Sequence, residues 1–257
     1  MSFELTTPSE VIPAATVLVF RHGAADDPPE ILMVQRAKEM RFAGGAAVFP
    51  GGRVDPGDHD LAARIAPNTD PLVGAARIAG IRETLEETGL AIATRNRISA
   101  QEAASARELL LQTGSLEPVL DTFGWELDLD QLTPFAHWCP NHTRAFDTRF
   151  FITNLGTGAV DIAVDATENT RLFWASGPEA LRLADAGEIS VIYPTRCNLE
   201  RVAQFAHFGE VLEDARRHPV DVITPFKAVQ NGEEWLMIPD GLGYPSLGKP
   251  LATLRRG

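Results

Sequence analysis

Apolar positions cluster early in the chain. Residues 14–21 (AATVLVFR) are rich in β-branched and aliphatic side chains and read as a buried strand, and residues 31–36 (ILMVQR) read as a second. The intervening HGAADDPPE makes the pair a hairpin with a long loop. A glycine-rich stretch over 42–57 follows, and the prolines, Asn and Asp of 58–71 predict a loop with room for one helical turn. The period then changes. Over 74–89 Ile78, Ile81 and Leu85 form a stripe of helical spacing, closed by Gly89 where a C-cap belongs. A second helix is predicted over 99–112, with Ser99 as N-cap and Glu102 three residues on. Strands are expected at 132–138, 148–153 and 171–175, and helices at 177–186 and 196–217. Near the end, Asn231-Gly232 joins two extended runs in TPFKAVQNGEEWLMIP, a type I′ hairpin signal. Strands and helices interleave without a steady βαβ rhythm, which predicts an α+β fold with a mixed sheet between helix layers. No break divides the chain, so 1–257 reads as a single domain.

Composition narrows the chemistry. The 257 residues are 44% hydrophobic and 23% charged, enough for a substantial core and unlike a disordered chain. Thirty-five acidic against 23 basic side chains give a formal charge of −12, which argues against nucleic acid or an anionic membrane as a partner. An anionic small molecule remains a reasonable substrate where bound cations invert the field locally. Cys139 and Cys197 are the only cysteines, without CxxC spacing, so neither a disulfide framework nor a structural zinc site is encoded. No apolar run reaches the length of a spanning helix, and the first ten residues lack the basic region of a signal peptide. The expected compartment is the cytoplasm, and LRRG at the end is no SKL-type peroxisomal address.

The 74–89 helix carries the candidate chemistry. Glu83, Glu86 and Glu87 fall within about 100° of one another, opposite the apolar stripe. Like charges at this spacing repel by a few tenths of a kcal/mol per pair. Two readings follow: a solvated acidic face, or a seat for divalent cations such as Mg²⁺, whose shell substrate phosphates complete. Arg82 would fix one carboxylate by pairing with it. Upstream, Phe49-Pro50-Gly51-Gly52-Arg53-Val54 supplies a turn whose backbone can approach an ion or a pyrophosphate closely. His137 and His142 flank Trp138 and Cys139 without zinc-ligand spacing, and no GxSxG motif is present.

Together, GGRVDPGD at 51–58 and RETLEETGL at 82–90 resemble the Nudix box, Gx5Ex7REUxEExGU, where U is a bulky aliphatic. Arg82, Glu83, Glu86, Glu87, Gly89 and Leu90 match, and Thr84 stands at an aliphatic position. Asp58 follows Gly52 at the place of the box glutamate, but 23 residues instead of seven separate it from Arg82, an insertion of 16. Before the box, Leu32, Arg36, Ala37, Arg41, Gly45, Phe49, Pro50, Gly51 and Gly52 fit the LLTxR[SA]x3Rx3Gx3FPGG pattern of the coenzyme A-hydrolysing subgroup, with Met33 and Val34 as departures. The insertion, RAFDTRFF at 144–151, ENTRLFW at 168–174 and PEAL at 178–181 also look like the peroxisomal coenzyme A diphosphatase branch, so the likeness covers roughly 12–200.

The resemblance implies a Nudix fold, an α/β/α sandwich with a C-terminal extension over about 196–257. It also implies metal-dependent hydrolysis of a nucleoside diphosphate derivative: coenzyme A or acyl-CoA, giving 3′,5′-ADP and (acyl-)4′-phosphopantetheine. Mg²⁺ or Mn²⁺ would be held by Glu83, Glu86, Glu87 and the Gly51 or Gly52 carbonyl, with Arg82 orienting the acids. Glu83, Glu86 and Glu168 are the candidates for the general base, and Arg36, Arg41 and Phe49 for substrate binding. A pyrophosphatase for ADP-ribose, NADH or another nucleotide is the alternative, and a non-catalytic Nudix-fold binding module a more distant one. Assembly as a homodimer is left open.

Overall fold

A computed structural model describes residues 11–22, 28–38, 43–142, 144–155 and 169–254. Its plan follows from β1 (Ile12–Arg21), where Ala15, Val17 and Val19 point to one face and Leu18 and Phe20 to the other, all buried. A strand apolar on both faces needs cover on both. β2 (Glu30–Arg36) returns antiparallel to it as the expected hairpin, with Phe20 opposite Ile31. Short strands β3 (Ala47–Val48) and β4 (Gly51–Arg53) pair with β2 and β1 respectively. Helices α1 (Pro56–Ile65), α2 (Pro71–Thr88), α3 (Ala100–Thr113) and α4 (Glu117–Phe123) follow, then β5 (Thr133–Trp138), β6 (Phe146–Asn154) and β7 (Asn169–Ser176). The remainder comprises α5 (Gly177–Asp185), α6 (Tyr193–Val202), α7 (Phe208–Arg217), β8 (Val222–Ile223), β9 (Phe226–Gln230), β10 (Glu233–Met237) and β11 (Gly248–Pro250).

The main sheet runs β3-β2-β1-β6-β5-β8, with β4 also on β1 and β7 also on β2. Pairings of β1 with β6 and of β5 with β8 are parallel and the others antiparallel, so the sheet is mixed, as expected. On one face Leu61, Ile78, Ile81, Leu85 and Leu110 of α1, α2 and α3 pack on Ala15, Val17, Val19 and Phe151. Ala180, Leu199, Val202 and Val211 of α5, α6 and α7 pack on Leu18, Phe20, Phe135 and Trp138 on the other. Ile238, Leu242 and Tyr244 join this second core. The Tyr244 hydroxyl donates to Asn198 Oδ1 at 2.8 Å and accepts from Trp138 Nε1 at 3.2 Å. β9, β10 and β11 form a separate small sheet, turning at Asn231-Gly232 with φ of 52° and 83°, as the type I′ signal requires.

Several expectations are corrected. The loop expected over 58–71 is largely α1, because Pro56 starts it and Asp55 and Asp58 cap each other's backbone reciprocally. Helix α2 begins at Pro71, behind an Asp70 cap that accepts from the Leu72 and Val73 N–H groups, and ends at Gly89 with φ of 75°. The single helix expected over 196–217 is two. Glu210 accepts the Ala206 and His207 N–H groups and so starts a new helix at Phe208. Helix α4 has no counterpart in the sequence pattern, since seven residues carry too little periodicity. Helix α3 has the expected Ser99 cap. Among the described residues no helix is long and apolar enough to cross a membrane.

Candidate active site

The site is organised around a buried arginine. Helix α2 lies across the sheet with Ile78, Ile81 and Leu85 beneath it, which turns Arg82 toward the junction of β4 and α1. There the Arg82 guanidinium donates from Nε and Nη2 to the two oxygens of Asp58, each at 3.0 Å, and from Nη2 to the Arg53 carbonyl at 2.9 Å. Its Nη1 faces the other way, toward Glu83 at 3.0 Å and Glu86 at 3.4 Å. Asp58 and Arg82 are 3% and 4% exposed, so this fork is a desolvated pair. Burial works against the guanidinium charge, but Asp58, Glu83 and Asp55 outweigh it and hold Arg82 more firmly protonated than usual.

The turn before β4 meets the acids of α2 through its glycines. A Cβ on Gly52 would run into the Glu83 carboxylate, and a Cβ on Gly51 would lie 2.7 Å from Thr16 Cα. Only glycine allows these approaches. The Gly51 N–H donates to Glu87 Oε2 at 3.0 Å, so the turn and the helix are joined directly. Glu87 is buried, unlike the exposed residue that a solvated acidic face requires.

Burial pushes the Glu83 carboxyl up to about 7; the Arg82 charge opposes the shift and Glu86 adds to it. Burial likewise raises Glu87 to about 8, with Glu83 repelling it and the Gly51 N–H, the Arg36 charge and the nearby Asn169 amide opposing. Both acids have folded values above their unfolded ones. Their favourable contribution is therefore full below about 4.5 and is lost as pH rises through 7 to 8. Chelator-treated protein should lose about 10 °C of Tm between pH 5 and pH 8.5, and millimolar Mg²⁺ should restore more of it at pH 8.5 than at pH 5. Scanning calorimetry across that range checks both slopes, and a Tm that stays flat removes the coupling.

These donors suit a hard divalent cation. Among the described residues no three His, Cys, Asp or Glu side chains form a ready-made cage. What the turn and helix offer is carboxylates held against the Gly51-Gly52 backbone, part of the oxygen set that Mg²⁺ accepts when waters and phosphates supply the rest.

Other expected residues fare differently. Arg36 ends β2 close enough to influence Glu87, whereas Arg41 and Glu168 lie outside the described residues. Phe49 is corrected: at 2% exposure it sits in the core with Phe20, Ile31 and Met33, because its apolar ring packs inward and anchors the turn that follows. Asp55 and Asn169 enter the site from the structure alone. No local spacing marks Asn169, whose place opposite Arg36 arises only from the pairing of β2 with β7.

No family model matches the chain. It is 26% identical over 265 residues to the acyl-coenzyme A diphosphatase NUDT19 of Gallus gallus, covering 81% of this chain and 68% of that protein. Its fold is similar to the solved structure of a NUDIX hydrolase from Alicyclobacillus acidocaldarius, with a TM-score of 0.67 and 28% identity over 80% of this chain and 97% of that chain. In sequence and fold alike, the resemblance is to Nudix hydrolases.

Proposed function

We propose that this chain, a Nudix pyrophosphohydrolase by its sequence and fold, cleaves the pyrophosphate of coenzyme A or an acyl-CoA, yielding 3′,5′-ADP and (acyl-)4′-phosphopantetheine. The observation that carries the reading is the contact between turn and helix, with Glu83 against Gly52 and Glu87 on the Gly51 N–H. The substrate rests on the FPGG pattern with Arg36 and Arg41, and on the activity for which the Gallus relative is named.

In this proposal Glu83, Glu86, Glu87 and the Gly51 or Gly52 carbonyl hold Mg²⁺ or Mn²⁺. When bound, the ions neutralise pyrophosphate charge and activate water for attack on phosphorus. Arg82 keeps Glu83 and Glu86 on one side of the helix through its shared Nη1. Arg36 and Arg41 grip phosphate oxygens, and a general base drawn from Glu83, Glu86 or Glu168 takes the proton of the attacking water.

Coenzyme A, an acyl-CoA, ADP-ribose and NADH, each incubated with Mg²⁺ and Mn²⁺ and separated by chromatography, provide the test. Coenzyme A or its thioester is expected to turn over fastest with 3′,5′-ADP as product; faster cleavage of ADP-ribose would displace the substrate reading. Glu86→Gln is expected to lower kcat by about 100-fold or more. Unchanged turnover in that variant would remove the catalytic role of the helix.

A further inference from the structure

Asn169 is 2% exposed, yet among the described residues neither its Nδ2 nor its Oδ1 has a hydrogen-bond partner. Such a side chain is costly to the fold, and a native structure keeps one where another state uses it. Its surroundings indicate which. As the first residue of β7, Asn169 stands opposite Arg36, at a point where the pairing with β2 shifts register. Its amide lies near Glu87 without reaching hydrogen-bond geometry. The same Glu87 is tied on its other side to the Gly51 N–H.

We propose that Asn169 is a positioning residue for the cation-loaded enzyme: its Nδ2 donates to Glu87 when that carboxylate turns to a divalent ion and fixes its direction. This rests on the cation-dependent reading of the site and assigns a residue to it outside the helix and the turn. The Gly51 N–H sets a single oxygen of Glu87 and by itself does not define the plane of the carboxylate. A second donor from β7 fixes its plane. Outer partners of this kind typically contribute 10- to 100-fold to metal affinity.

Titration of Mn²⁺ into full-length protein by calorimetry, without substrate, tests the proposal. Asn169→Leu, close in size but without donors, is expected to raise the Mn²⁺ dissociation constant at least 10-fold. Its cation-free Tm should be equal to or above that of the wild type, because an unpaired buried amide is gone. Asn169→Thr, which keeps a donor, should recover part of the affinity and guards against a misfolded leucine variant. A lower Tm with unchanged Mn²⁺ affinity in both variants would make Asn169 merely structural and overturn the proposal. A wild type that binds no Mn²⁺ would overturn the cation reading itself, and this inference with it.

Discussion

Arg82→Met is expected to lower the unfolding free energy by about 3–5 kcal/mol, the usual cost of leaving one member of a buried ion pair alone. Asp58 would remain at 3% exposure with both oxygens stripped of their guanidinium donors. The Arg53 carbonyl would lose its donor as well, loosening β4 from α2. Urea unfolding followed by circular dichroism measures the change. Asp58→Leu in the same chain should recover most of the loss, less about 1 kcal/mol for the cap that Asp58 gives α1. If the double variant is no more stable than Arg82→Met, the pair is not the source of the cost.

Gly52→Ala should separate activity from stability. The added methyl meets the far end of a flexible side chain, so Glu83 can swing aside with little cost to folding. The displaced carboxylate then no longer faces the turn, and a misplacement of about 1 Å is enough for roughly a 100-fold loss of kcat/KM. Gly51→Ala behaves differently, because its methyl meets main-chain atoms of Ala15 and Thr16 that cannot move without parting β1 from β4. The first variant is expected to keep its Tm within about 2 °C while losing turnover, and the second to lose both. Side-by-side melting and steady-state kinetics decide it, and full activity in Gly52→Ala would disconnect Glu83 from the chemistry.

Legibility in the sequence tracks how local each determinant is. Helix α2 was readable because its apolar spacing and the Gly89 cap lie within one segment, and the same holds for the Ser99 cap of α3 and the Asn231-Gly232 turn. Helix α1 was hidden because its start depends on a reciprocal bond between Asp55 and Asp58, and its sequence looks like that of a loop. The acids of α2 were visible as a group. Their burial was not, since the turn that covers Glu87 arrives from 36 positions upstream. Asp58 could be placed by counting from Gly52, but its fork with Arg82 spans 24 positions. Phe49 shows the reverse case: a motif position expected to meet substrate is filled for packing.

The hydroxyl of Tyr244, clasped between Asn198 and Trp138, bears on how far the chain can be shortened. The motif resemblance read from the sequence runs to roughly residue 200, which invites trimming there. A fragment ending at that point would strip a lid of aromatic and aliphatic side chains from the interior and strand an indole and a carboxamide in a hole. The final stretch thus acts as a keystone, and expressed versions of this protein should retain it through at least Tyr244.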